Sequence, residues 1–137
     1  MSNLFRVSAK DHSALILMSE LATVHADETF VSLQNIAEEM GLSQGYLEEV
    51  AGTLKSAGLI VGKQGPNGGY RLMRSPKEIS VADILTALEG PVELVDCQSK
   101  GVACPVAHKC SSKSVWKNLQ QTIQESLQKT ALSDVIA

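Results

Sequence analysis

Apolar positions recur along the first half of the chain with the period of a helix and are punctuated by capping residues. Ala14, Leu17, Met18 and Leu21 follow the i, i+3, i+4, i+7 spacing of one helical face, widened by Leu15 and Ala22, which predicts a first helix over residues 12–25. His25 to Thr29 is polar and reads as a loop, with Phe30 and Val31 as a short extended piece. Leu33, Ile36, Ala37 and Met40 repeat the helical spacing between a capping Ser32 and a terminating Gly41. Ser43 opens a third helix carrying Leu47, Val50, Ala51 and Leu54, which stops at Gly58. Two short helices meeting across Gly41-Leu42 have the joint that a helix-turn-helix requires.

The period then changes. Leu59-Ile60-Val61 and Tyr70-Arg71-Leu72-Met73 are short β-prone runs around Gly65-Pro66-Asn67-Gly68-Gly69, which predicts a hairpin with a slender tip, a wing. Ser80-Val-Ala-Asp83 is a capping signature for a fourth helix with Val81, Ile84, Leu85 and Leu88 on its apolar face and Gly90 beyond it. Periodicity is absent from Pro91 to Ser112, a connection far longer than the usual 4–6 residues or so. A helix over about Ser114 to Gln128 follows, with Trp116, Leu119, Ile123 and Leu127 in a narrow seam suited to pairing with another helix. Thr130 is expected to cap a last turn through Val135. The fold class is mainly α: a winged helix-turn-helix with a β-hairpin wing, then a cysteine loop and a long dimerisation helix. Residues 1–78 would form the winged helix-turn-helix part and 79–137 the cysteine loop and dimerisation helix.

Composition adds little to this reading, whereas charge placement matters. With 44% hydrophobic and 20% charged residues, the 137-residue chain has an ordinary globular composition. No run of about eighteen apolar residues suits a membrane span, so a cytoplasmic protein is expected. The net charge of −3 opposes DNA binding, yet it is uneven. Residues 41–80 carry five basic groups against three acidic ones, with Lys55, Lys63, Arg71, Arg74 and Lys77 supplying the excess. Lys63, Arg71 and Arg74 beside the wing favour contact with phosphate and a minor groove.

Three cysteines, Cys97, Cys104 and Cys110, lie in the long loop. An odd cluster in a reducing compartment is a poor disulfide framework and a better metal or redox site. The spacings are wide for a zinc knuckle, and a bulky iron–sulfur cluster accepts thiolates from a more open loop. Three thiolates leave one iron position for His108, His12, His25, Asp11, Asp96 or a small molecule. Zinc or cluster-free thiol sensing are the alternatives. No phosphate-cradling glycine loop, Cys-x-x-Cys pair or nucleophile–base motif argues for an enzyme.

Together these pieces resemble the Rrf2 family of bacterial regulators, whose iron–sulfur members govern cluster assembly, the nitric-oxide response and iron supply. Ala9-Lys10, Leu21-Ala22, Ile36-Ala37, Tyr46-Leu47-Glu48, Leu54 to Leu59, the Gly65 to Tyr70 wing and the cysteine triad carry the likeness. It implies a homodimer reading two halves of a palindromic double-stranded operator, with a [2Fe–2S] or [4Fe–4S] cluster as cofactor. It also implies that Ser43, Gln44, Gly45, Tyr46 and Glu48 begin the recognition helix, with Glu48 meeting a cytosine amino group and Tyr46 and Lys55 the backbone. Lys63, Gln64, Pro66, Asn67, Gly68 and Arg71 would act from the wing. The sequence departs from the cluster-assembly regulators at Lys113, where they place a histidine three residues after the last cysteine. Other members complete the cluster from the first helix of the opposite subunit, which points to His12, with Asp11 next and His108 after it.

Overall fold

A computed structural model describes residues 7–94 and 112–136. Helix α1 spans Ala9–Thr23, three residues earlier than periodicity indicates, because the Ser8 hydroxyl accepts from the Asp11 amide. A 3-10 turn at His25–Asp27 follows. Helices α2 (Leu33–Met40) and α3 (Gln44–Ser56) are capped by Ser32 and Ser43 as expected, and Gly41 turns between them at φ +66°. Met40 belongs to the α2 spacing but is 40% exposed, since the helix ends there and its last turn leaves the core.

Strands β1 (Ile60–Lys63) and β2 (Gly69–Leu72) pair antiparallel, with Ile60 opposite Leu72 and Lys63 opposite Gly69. Val31 adds a third, one-residue rung: its amide donates to the Tyr70 carbonyl at 2.8 Å and its carbonyl accepts from the Tyr70 amide at 2.9 Å. The wing is thus stitched to the entry of α2. That stitch explains Gly69, where a Cβ would overlap the Val31 carbonyl, and Gly68, where one would overlap the Lys63 carbonyl. These glycines are demanded by packing within the chain as well as by the slenderness of the tip.

A 3-10 turn at Pro76–Glu78 leads into α4 (Val81–Glu89), whose Ser80/Asp83 capping box has both hydrogen bonds at 3.0 Å. Beyond the cysteine segment, α5 (Lys113–Lys129) runs along α4. The chain then turns back. Leu132 donates its amide to the Ile79 carbonyl, and Val81 donates to the Thr130 carbonyl, both at 2.8 Å. Short α6 (Leu132–Val135) is closed by the Asp134 carboxylate on the Ala131 amide, whereas Thr130 instead donates its hydroxyl to Ser126 at the end of α5.

One core joins these pieces. Leu17, Met18 and Leu21 of α1, Leu47, Val50 and Leu54 of α3, and Ile60 and Leu72 of the hairpin pack with Ile79, Ile84 and Leu132. Residues on both sides of position 78 therefore share one hydrophobic cluster. Among the described residues no helix is long and apolar enough to cross a membrane.

Candidate nucleic-acid interface

Helix α3 turns Leu47, Val50, Ala51 and Leu54 inward, and this leaves Gln44, Glu48, Glu49 and Gly52 on its outer face. The hairpin works likewise. Ile60 and Leu72 face the core, whereas Val61, Lys63 and Arg71 share the opposite face by register. Between the start of α2, the start of α3 and the wing lies an open groove of about 490 Å3.

Of the residues expected from sequence, Gln44, Glu48, Lys63, Pro66 and Gly68 line this groove together. Gln44 Nε2 donates to Glu48 Oε1 at 3.3 Å, one turn along the helix, so Glu48 is held by an amide that can release it to another donor. Ser43 caps the helix, its Oγ accepting from the Tyr46 amide, while Tyr46 packs half-buried against the core. Gly45, Gln64 and Asn67 are exposed but stand outside the groove lining. Lys55 lies at the far end of α3, about 16 Å along the axis from Gln44.

Arg71 is placed elsewhere. Its guanidinium sits 4.8 Å from the centroid of the Phe30 ring and donates through Nη1 to the Glu28 carbonyl at 3.4 Å. It lines a second, smaller cleft with His25, Val61 and Met73. Three side chains of this surface carry no sequence signal for it: Ser32 and Gln34, which wall the groove from the start of α2, and Phe30, which lies against Arg71. The sequence marks Ser32 only as a cap, and Gln34 has no motif to mark it.

The residues expected as cluster ligands are more divided. Cys97, Cys104, Cys110, His108 and Asp96 lie outside the described residues, and among the described residues no three His, Cys, Asp or Glu side chains converge as a metal site. His12 is exposed on α1. Asp11 is half-buried; its Oδ2 accepts from the Ser8 hydroxyl at 2.8 Å, and its Oδ1 is buried with no hydrogen-bond partner among the described residues. A buried carboxylate oxygen left bare is costly unless some donor or cation meets it. Asp11 opens on a cavity of about 470 Å3 walled by Leu85, Glu89, Leu127 and Pro91–Glu93, the stretch that leads into the cysteine segment.

A capped helix pair followed by a stitched hairpin, with polar side chains of both facing one groove, is the architecture of a winged-helix DNA-binding regulator. The chain belongs to the Rrf2 family: the family model described as "Iron-dependent Transcriptional regulator" matches residues 7–137. It is 32% identical over 131 residues to the HTH-type transcriptional regulator IscR of Aliivibrio salmonicida, covering 96% of this chain and 77% of that one. Among solved structures it is similar to CymR (YrzC), the global cysteine regulator of B. subtilis, at 32% identity and TM-score 0.79, covering 96% of each chain. It is also similar to T. potens IscR, at 36% identity and TM-score 0.76, covering 96% of this chain and 86% of that one. The protein is therefore an Rrf2-type transcriptional regulator and not an enzyme.

Proposed function

We propose that the chain acts as a homodimer that reads a palindromic double-stranded operator and carries a [2Fe–2S] or [4Fe–4S] cluster on Cys97, Cys104 and Cys110. The groove where Gln44 and Glu48 face Lys63 and the wing supports the DNA half of this reading. Gln44 and Glu48 are the base-reading pair; Ser43, Gly45, Tyr46 and Lys55 flank them on α3, and Lys63, Gln64, Pro66, Asn67, Gly68 and Arg71 approach the backbone. Residues 1–78 are the reading part. Residues 79–137 hold the cluster and pair the two copies.

The observation that carries the cluster half is the buried Oδ1 of Asp11, which has no partner among the described residues and lies beside the path into the cysteine segment. An orphaned, buried carboxylate oxygen fits the oxygen ligand that three thiolates leave wanting. We place Asp11 ahead of His12, which is exposed on the same helix, and the ligand would then come from the same subunit as the cysteines instead of the opposite one. A bound cluster would supply sensitivity to iron, redox state or nitric oxide. Asp11 sits on α1, whose buried face packs on α3, so a ligand held there bears on the recognition helix through one layer of side chains.

The test is the visible spectrum, with iron and sulfide content, of protein purified without air. Bands between about 320 and 460 nm are expected, and Cys104→Ala should abolish them while leaving helix content and dimer intact. A variant that stays coloured overturns the triad assignment. The similarity to CymR favours a second reading, in which the cysteines serve as cluster-free thiols or a zinc site. A colourless protein with zinc or no metal would establish that reading and leave the DNA-binding half in place.

A further inference from the structure

The outer face of the hairpin holds two cations against one ring. By register Arg71 stands opposite Val61, and Lys63 follows Val61 by two residues, so both basic side chains rise from the same side of the sheet. Lys63 Nζ lies 5.6 Å and the Arg71 guanidinium carbon 4.8 Å from the centroid of the Phe30 ring. Phe30 immediately precedes Val31, whose two backbone bonds to Tyr70 fix the ring's approach to the wing. Gathering two like charges opposes their mutual repulsion, and free side chains in water would diverge. The negative face of the ring offsets that tendency for both, and the Glu28 carbonyl adds a bond for Arg71. Lys63 also lines the groove beside α3, whereas Arg71 lines the smaller cleft, so the two cations on the ring belong to different recesses of the surface.

We propose that Phe30 is a positioning residue for nucleic-acid binding: its ring holds Lys63 and Arg71 as a preset pair of cations for successive phosphates of one DNA strand, without itself touching DNA. The inference rests on the DNA-binding reading above. A cation ordered before binding loses less side-chain freedom when it meets its phosphate, so the ring would raise affinity without adding a contact.

Non-specific duplex suffices as the probe, because phosphates are common to every sequence. Binding to a labelled duplex of arbitrary sequence, about three helical turns long, would be followed by anisotropy across a salt series. Lys63→Gln and Arg71→Gln should each flatten the plot of log affinity against log salt by about 0.9. Phe30→Leu should weaken binding about three- to tenfold, Phe30→Tyr should restore it, and in the Lys63→Gln/Arg71→Gln background Phe30→Leu should change affinity by less than about twofold. A loss of equal size in both backgrounds, or none in either, overturns the proposal and leaves the DNA-binding reading standing. An unaltered protein with no salt-dependent affinity for duplex overturns that reading and the proposal with it. Should Phe30→Leu fail to fold, proton NMR of the unaltered protein decides: Lys63 ε and Arg71 δ protons shifted upfield by the ring support the pairing, and random-coil positions overturn it.

Discussion

Helices α3 and α5 are both amphipathic, but among the described residues only α3 finds enough partners inside its own chain. Four of its thirteen residues are buried, enclosed by α1, α4 and β1. Helix α5 is longer, at seventeen residues, and buries none; Leu119 is 43% and Val115 52% exposed, with Trp116, Ile123 and Leu127 half-covered. The contrast follows from stripe width. A broad apolar stripe is wrapped by several neighbours, whereas a narrow seam is matched by one helix of the same kind. Within the protomer α4 covers part of that seam, and the remainder suits a second copy of α5.

The comparison breaks most visibly in the core. Leu47→Ala removes a side chain with no exposure and should cost about 3–5 kcal/mol, read as a lower urea midpoint. A cost near that of a surface change would mean that α3 is held by something other than packing. Next in size, Leu119→Asp should raise the dimer dissociation constant about thirtyfold or more, seen by sedimentation, while the far-ultraviolet signal of the winged-helix unit persists. A variant that still pairs would move the interface off this seam. The smallest effect sharpens the other face of α3. Gly52 lies mid-helix with nothing within 4 Å of the position a Cβ would take, so Gly52→Ala should stabilise the protein by about 0.5–1 kcal/mol in the same urea measurement. A loss instead would reveal that this face is covered within the protein.

The same contrast explains what was legible in advance. Ser32, Ser43 and Ser80 each precede an apolar run, and Gly41 closes one, so local chemistry announces the helix-turn-helix and α4. Periodicity misses the start of α1 because Ala9-Lys10-Asp11 carries no apolar spacing and the Ser8 cap extends the helix, whereas the Rrf2 resemblance already sets Ala9-Lys10 in the first helix. The joining of Val31 to Tyr70 and of Leu132 to Ile79 is a matter of distant segments meeting, to which periodicity is blind. For the same reason Gln44, Glu48 and Lys63 could be expected in the interface from their place in the motif. Phe30, Ser32 and Gln34 could not, since their role depends on which way the wing folds back. The bare oxygen of Asp11 likewise exists only once α1 meets α4 and the strand of chain after it.

The burial of Leu132 has a consequence for how the protein is made. During synthesis the helix-turn-helix and wing leave the ribosome first, but the cluster formed by Leu17, Leu47, Ile79 and Ile84 lacks its last member until the cysteine segment and α5 have also been translated. A nascent chain stalled before that point exposes the apolar seat of Leu132 and lacks the rung between Ala131 and Ser80. Completion of the core beneath the helix-turn-helix is thereby deferred until the cysteine segment and α5 have been produced, so a product truncated before Leu132 would be left open to proteolysis.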